Sequence, residues 1–515
     1  MKRIFLFAFI CTTLQLSAQN LQFQWVKNVL NPKRMVVDQN DNVYISGKYS
    51  GTISSHGINL TFASTDGSYN SFFAKLDSSG NVLWYRQLAG TFTEDITDLN
   101  VDSDGNLIIS AMFVDRVLVG GDTLIGTYWA HNTLLMKYLA NGDLDWYTVP
   151  VTIDTGCVHI YKTVLDNDNN IYFTGTGDDH NMHFDTTILN GDSTYGYIAK
   201  YSPSGEFIWV NGMNSEVFQM GVGPTGNIVF YRNDSLIKLS TAGNEIWAQP
   251  VPYKLNQVDD HTLLVIDRFD NLYAAGFYYS TITLGTDSFT SVGASDIIIE
   301  KLNANGSHLW AYSIGGPDSD QPSMLSVNLD RVVLAGDFRE KIYIENDSIV
   351  SPWSLPFYYP STCIIGLNLS GIRQFDNAIF ARQYSNNALI TMNDAIYVSV
   401  LAADSAFFDG EIFYSDSGYY PTFLAKLHGT TASIEQIGSG IAVYPNPASD
   451  YVEIHVAVIG QNTLAEIVNT EGRILKTVKL ENAREIIDIR FLNSGIYFLR
   501  ITDPEFSSVH RILKI

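Results

Sequence analysis

One segment recurs along the chain with fixed internal spacing, and no other feature restricts the fold as strongly. It reads FFAKLDSSGNVLW at 72–84, LLMKYLANGDLDW at 134–146, YIAKYSPSGEFIW at 197–209, SLIKLSTAGNEIW at 235–247 and IIEKLNANGSHLW at 298–310. Two degenerate copies follow. CIIGLNLSGIRQF at 363–375 carries Gly366 for the lysine and Phe375 for the tryptophan, and FLAKL at 423–427 keeps the first half alone. Each full copy reads as a β-hairpin: an alternating strand that runs through Lys, a polar turn with glycine where positive φ is needed, and a strand ending in Trp. A second strand with its own turn stands upstream, as in VDSDGNLIISA at 101–111 and IDRFDNLYAAG at 266–276. Each unit is therefore expected to be an antiparallel sheet of about four strands.

The repeated lysine falls at Lys75, Lys137, Lys200, Lys238, Lys301 and Lys426, with Gly366 in the sixth place; the spacings are 62, 63, 38, 63, 65 and 60 residues. The fourth unit is short and should lack the hairpin that the others insert between their two signature strands. A sheet of this size cannot bury both faces alone, whereas radial stacking buries each against its neighbour. The expected architecture is all-β: a seven-bladed β-propeller over 19–428, plus a small C-terminal β-sandwich. Closure is expected from the chain ends, because QFQWVKNVL at 22–30 is a Trp strand with no Lys strand before it, and FLAKL lacks its Trp strand. The 29 Tyr, 28 Phe and 8 Trp agree with a strand-rich chain.

This pattern resembles the seven-bladed β-propeller repeats called SBBP repeats, with their D-x-x-G-N-x-Y-x-x-G strand followed by F-x-A-K-L-x-x-x-G-x-x-x-W. The resemblance covers about residues 20–428, strongly in five copies and weakly in the last two. It implies a fold and an extracellular setting, and no defined activity.

Residues 1–18 read as a signal peptide, with Lys2 and Arg3 before the apolar IFLFAFI and with Ala18 suited to cleavage before Gln19. No later apolar run is long enough to span a bilayer, so no transmembrane segment is expected. The net charge of −23 repels phosphate backbones and anionic membrane surfaces and excludes nucleic acid as a partner class. Only Cys157 and Cys363 remain after processing, too few for a disulfide framework, and their pairing stays open. The chain is expected to be monomeric.

The stretch HGTTASIEQIGSG at 428–440 contains the linker, placed at 429–440, and a new domain spans 441–515. Its segments DYVEIHVAV, LAEIVNT, ILKTVKL, EIIDIRF, GIYFLRI and VHRILKI alternate as strands, with hairpin turns expected at NTEGR (469–473) and LNSG (492–495). The segment resembles the C-terminal sorting domain of the type IX secretion system. The matching motifs are YPNP at Tyr444, Pro445, Asn446 and Pro447; the turn at Glu471, Gly472 and Arg473; the LNSGIYFLRI strand with Gly495 and Tyr497; and the terminal Lys514 and Ile515. That resemblance implies recognition by the outer-membrane translocon, removal by a sorting peptidase, and a protein left on the cell surface or secreted.

Candidate sites are few. Asp102, Asp104 and Asn106, then Asp166, Asp168 and Asn170, and likewise Asp38, Asn40 and Asn42, place oxygens at alternate positions as a calcium loop does. They lack the loop's sixth-position Gly and twelfth-position Glu, so they read as Asx-type turns, with calcium as the alternative and no other cofactor expected. DDHNMHFD at 178–185 gathers Asp178, Asp179, His180, His183 and Asp185, but on a strand His180 and His183 face opposite ways. The repeated Trp reads as inter-blade packing, and the repeated Lys as a solvated or inter-blade residue.

No G-x-S-x-G, Walker loop or H-E-x-x-H occurs, and no catalytic residue is assigned. The leading expectation is a binding protein whose ligand, a glycan or a protein, sits on the variable loops at one end of the ring. An extracellular enzyme is the first alternative, since the x-G-x-x-x-W hairpin also resembles quinoprotein dehydrogenase repeats and other propellers cleave glycans. A structural matrix or adhesion component is the second.

Overall fold

The computed structural model describes residues 22–29, 32–49, 52–55, 60–63, 69–153, 156–178, 181–190, 195–256, 262–345, 347–351, 360–390, 395–408, 411–414, 422–428, 441–444, 450–456, 463–469, 473–480, 482, 484–493, 495–502 and 507–514. Every regular element among them is a strand, and the chain divides into two compact parts, Met1–His428 and Gly429–Ile515. The leader expected at 1–18 and the linker expected at 429–440 lie outside the described residues.

The first part is a β-propeller. In blade 1 the strands Pro32–Val37, Val43–Tyr49, Asn70–Leu76 and Val82–Gly90 pair antiparallel in that order and are called a, b, c and d from the inside outwards. The same order recurs four times, with a strands at Glu94–Val101, Val158–Leu165, Met220–Val222 and Leu264–Ile266. Blades 6 and 7 share one long strand, Arg373–Ile390. Its first half pairs with Ser361–Asn368 as the d strand of blade 6, whose a strand is Gln321–Val327, and its second half pairs with Ala395–Phe408 as the a strand of blade 7. The outer strand of blade 7 comes from the other end of the chain: Gln22–Val29 pairs with Thr422–His428, placing Trp25 opposite Lys426. In blades 1 to 5 the repeated Lys likewise faces the repeated Trp, as Lys75 faces Trp84 and Lys301 faces Trp310.

Blade 4 joins its b and c strands through Asn233 and Asp234 alone, both at positive φ (50° and 57°), a two-residue turn that accounts for its short repeat. The remaining blades insert a hairpin or an extra strand there, for example Arg116–Val119 with Asp122–Ile125 in blade 2.

The recurrent residues act between blades. The indole Nε1 of Trp84 donates to Ala140 O (3.0 Å) in the c–d turn of the next blade; Trp146 donates to Pro203 O, Trp209 to Thr241 O, Trp247 to Ala304 O and Trp310 to Leu369 O. Trp25 makes the same bond to Ser78 O in blade 1 (3.2 Å). Turn glycines meet these rings. Gly142 has φ +87°, and a Cβ there would stand 2.8 Å from Trp84 Cδ2, so both backbone and packing demand glycine.

The lysines are not solvated. Lys75, Lys238, Lys301 and Lys426 are buried and reach carbonyls of the following blade, as Lys301 Nζ does to Leu369 O (2.9 Å). Lys75, Lys200 and Lys301 also lie over the rings of Tyr44, Tyr172 and Tyr273, each at 4.8 Å. Blade 6 departs from the rule in a correlated way: the Phe375 ring fills the space that a side chain at Gly366 would need, 2.2 Å from its Cβ position, so the Lys-to-Gly and Trp-to-Phe changes are one packing exchange.

The second part is a two-sheet sandwich. Ile441–Tyr444, Tyr451–Val456 and Arg484–Asp488 form one sheet; Ile474–Lys479, Leu464–Val468, Gly495–Thr502 and Ser507–Lys514 form the other. Val452, Ile454, Ile487, Ile467, Leu499 and Ile501 pack between them. LNSG is not a hairpin turn. The strands before and after it belong to different sheets, so it carries the chain across the sandwich, with Leu492 buried on the way. Turn-forming residues mark where a strand stops, not which strand it pairs with next.

Candidate functional site

The propeller has two unlike ends. One carries the tight a–b and c–d turns of every blade. The other carries the d-to-a connections and the b-to-c insertions, which differ from blade to blade.

At the turn end the calcium candidates are already coordinated by protein groups. Asp102 Oδ1 accepts N–H bonds from Asp104 (3.0 Å) and Asn106 (2.8 Å), while Oδ2 takes Asn106 Nδ2 (3.0 Å) and Lys137 Nζ (2.9 Å). Burial pushes the Asp102 carboxyl up, but the Asn106 and Lys137 donors outweigh it and hold it below the usual carboxylate range. Asp166 repeats the arrangement with Asp168 and Asn170, adding Tyr172 OH at 2.9 Å and Lys200 at 3.8 Å. Asp38 does so with Asn40, Asn42 and Lys75. These are Asx turns locked by the repeated lysine.

Along the axis, among the described residues, a cavity of about 330 Å³ is lined by the a strands of blades 1 to 6. Asp98 sits on its wall between two cations: Lys162 Nζ lies 3.1 Å from Oδ2 and Arg34 Nε lies 4.0 Å from Oδ1. The Thr163 N–H also donates to Oδ2 (2.9 Å), and Lys162 reaches Thr262 Oγ1 (3.0 Å). This network joins blades 1, 2, 3 and 5, and its two cations against one carboxylate leave a net positive charge on the cavity wall.

The loop end of blades 1 and 2 is different in kind. Phe92, Tyr128 and Trp129 form a triangle with ring centroids 5.0 to 5.9 Å apart. Tyr128 is 58% and Trp129 70% exposed, and Tyr69 (58%) is bridged to the neighbouring Thr93. Trp129 stands at φ +63°, a conformation a bulky residue rarely adopts. Asn132 holds the loop in place: its Oδ1 accepts the Thr127 N–H (2.9 Å), and its Nδ2 donates to Ala130 O (3.0 Å), Thr127 O (3.3 Å) and Phe113 O (3.3 Å). Strain at an exposed aromatic, held by a dedicated clamp, marks a built surface rather than a loose loop.

The same end brings together His131, Cys157 and His159, whose ligand atoms all lie within 4.8 Å of one another. Cys157 and Cys363 are both free thiols. Burial, with His131 beside it, holds the His159 imidazole below its usual range against the opposite pull of Asp178. Of the acidic and histidine run at 178–185, Asp178 accepts the Cys157 N–H (2.7 Å), His183 lies on the Met182–Phe184 strand, and Asp185 takes positive φ at its turn; Asp179 and His180 lie outside the described residues. Sequence reasoning missed both clusters. The signal for the aromatic one was available, since Trp129 falls outside the repeated tryptophan position.

In the C-terminal part, Pro445, Asn446, Pro447 and Gly472 lie outside the described residues, and Tyr444 ends the first strand. Arg473 is exposed and its N–H bonds to Asn469 Oδ1 (2.9 Å). Gly495 opens its strand opposite Lys514, and Tyr497 OH donates to Asn493 O (3.1 Å).

Residues 442–515 match the family model described as a secretion system C-terminal sorting domain. An uncharacterised WD repeat-containing protein of Acanthamoeba polyphaga mimivirus is 24% identical over 329 residues, 56% of this chain; the match spans about a fifth of that relative's length (22%). Among solved structures, the Pan2 WD40 domain of Neurospora crassa is similar at 10% identity over 65% of this chain and 90% of its own, with a TM-score of 0.35. PorZ, a surface component of the type IX secretion system of Porphyromonas gingivalis, is similar at 9% identity over 97% of this chain and 100% of its own, with a TM-score of 0.20. At those scores neither likeness bears on function. The class is a β-propeller repeat protein with a type IX secretion sorting tail. Its tail engages that secretion system and directs the chain to the cell surface or out of the cell. No helix among the described residues is long and apolar enough to cross a membrane.

Proposed function

We propose that the protein is a displayed or released binding protein whose loop end takes a glycan, with Phe92, Tyr128 and Trp129 as the stacking platform. The aromatic triangle carries this reading. The exposed rings of Tyr128 and Trp129, held against the half-buried Phe92, offer large contact area at little entropic cost, which suits the apolar faces of sugar rings. The scaffold beneath is read as a seven-bladed ring closed by the Gln22–Val29 strand. Two observations support closure: Trp25 bonds to blade 1 as every other repeated Trp bonds to its neighbour, and the a strands touch in cyclic succession, with Arg373–Ile390 against Pro32–Val37. A sorting peptidase is proposed to act on the tail after export.

The test is a glycan array with the purified chain, followed by titration of the best-binding glycan. Trp129→Ala should weaken binding at least 10-fold with the melting temperature little changed. Binding unaffected by Trp129→Ala and Tyr128→Ala together would refute the platform, and capture of a protein through these rings would replace the glycan with a protein partner. Export is tested separately: deletion of residues 441–515 should leave the protein in the periplasm.

A further inference from the structure

We propose that His131, Cys157 and His159 form a binding site for a thiophilic transition-metal ion, Zn²⁺ or Cu⁺, at the loop end between blades 2 and 3. The three side chains come from two blades: His131 opens the c strand of blade 2, and Cys157 and His159 lead into the a strand of blade 3. Cys157 and His159 are two residues apart on extended chain and so project to the same side. Two imidazoles and a thiolate are a ligand set that selects zinc or cuprous ion over calcium or magnesium.

Five further observations describe the cluster, and the unpartnered His131 Nδ1 among them points to a ligand. The two imidazoles meet edge to face at 4.8 Å, and His131 Nδ1 is buried with no hydrogen-bond partner. A buried ring nitrogen without a partner is costly unless something else satisfies it. The His131 backbone N–H points at Cys157 Sγ (3.4 Å), which fixes the sulfur toward the two imidazoles. Met112 Sδ, a soft donor, lies 3.1 Å from His159 Nδ1. Asp178, bonded to the Cys157 N–H, places a carboxylate beside the cluster. Tetrahedral bonds of about 2.0–2.3 Å to N and S bring ligand atoms to roughly 3.5 Å, so the cluster closes by about 1 Å on loading. Three protein ligands leave a position open to a donor from outside. The inference is independent of the glycan reading, since it uses none of the platform rings.

The experiment titrates the full secreted chain, reduced and metal-free, with Zn²⁺ and separately with Cu⁺ against a chromophoric competitor, and uses Co²⁺ to look for thiolate-to-metal charge transfer. Cys363 is fully buried, so the rate of thiol labelling reads Cys157. One equivalent of Zn²⁺ or Cu⁺ should bind, protect Cys157 from labelling at least 10-fold and give the charge-transfer band with Co²⁺. Cys157→Ser and His131→Gln should each weaken binding at least 10-fold while circular dichroism stays native. Wild-type protein that binds neither metal, or folded variants that bind as tightly as wild type, would overturn the site.

Discussion

The two ends of the propeller are built from the same strands and differ in what their polar groups do. At the turn end, four buried aspartates of the a–b turns each have a lysine: Asp38 with Lys75, Asp102 with Lys137, Asp166 with Lys200, Asp267 with Lys301. At the loop end, Asp320 is fully buried beside Asp296 and Asp318 with Oδ1 unpartnered, and burial followed by those charges pushes its carboxyl up to about 8. The turn end is the repeated one, where every blade must meet its neighbour in the same way. The loop end is free to vary, and the strained Trp129, the exposed rings and the His-Cys cluster all lie there.

Asp320 gives the largest test of this contrast. Its folded pKa lies above the unfolded carboxylate value, so between about pH 4 and pH 8 the folded state holds the extra proton and stability falls as pH rises. The limiting slope for one proton is about 1.4 kcal/mol per pH unit. Denaturant melts across this window should show the loss, and Asp320→Asn should flatten it; an unchanged slope in that variant would place the proton elsewhere.

At the turn end, Trp84→Ala removes a ring packed against Gly142 together with its bond to Ala140 O, and should cost about 3 kcal/mol in the same assay. Gly142→Ala adds a Cβ at positive φ against that ring and should cost about 2 kcal/mol. The loop end should respond in the opposite sense. Trp129→Gly relieves a left-handed backbone and should raise stability by about 1 kcal/mol, while Trp129→Ala should stay within about 0.5 kcal/mol. Loss of stability comparable to Trp84→Ala at position 129 would erase the distinction between the ends.

How much of this could be read from residues follows the same division. The hairpin, the short fourth unit and the opposition of Trp25 to Lys426 were legible because they repeat, and repetition turns a weak local signal into a register. The lysines read as solvated or inter-blade, and the structure takes the second option, because charge alone does not reveal a neighbouring blade. Gly366 with Phe375 looked like decay, although the two changes compensate across one strand pair. His131 lies 26 residues from Cys157, on a different blade, so no spacing rule could join them. The LNSG segment was misjudged for a related reason, because pairing partners in a sandwich are chosen by the core and not by the turn.

The most direct test is hydrogen-exchange footprinting of the whole chain with and without the best-binding glycan from the array. Protection should concentrate at 91–93 and 126–132 and leave the turns at 77–81 and 139–143 unchanged. Protection at those turns, or none near Trp129 under saturating glycan, would contradict the assignment of the loop end as the binding face.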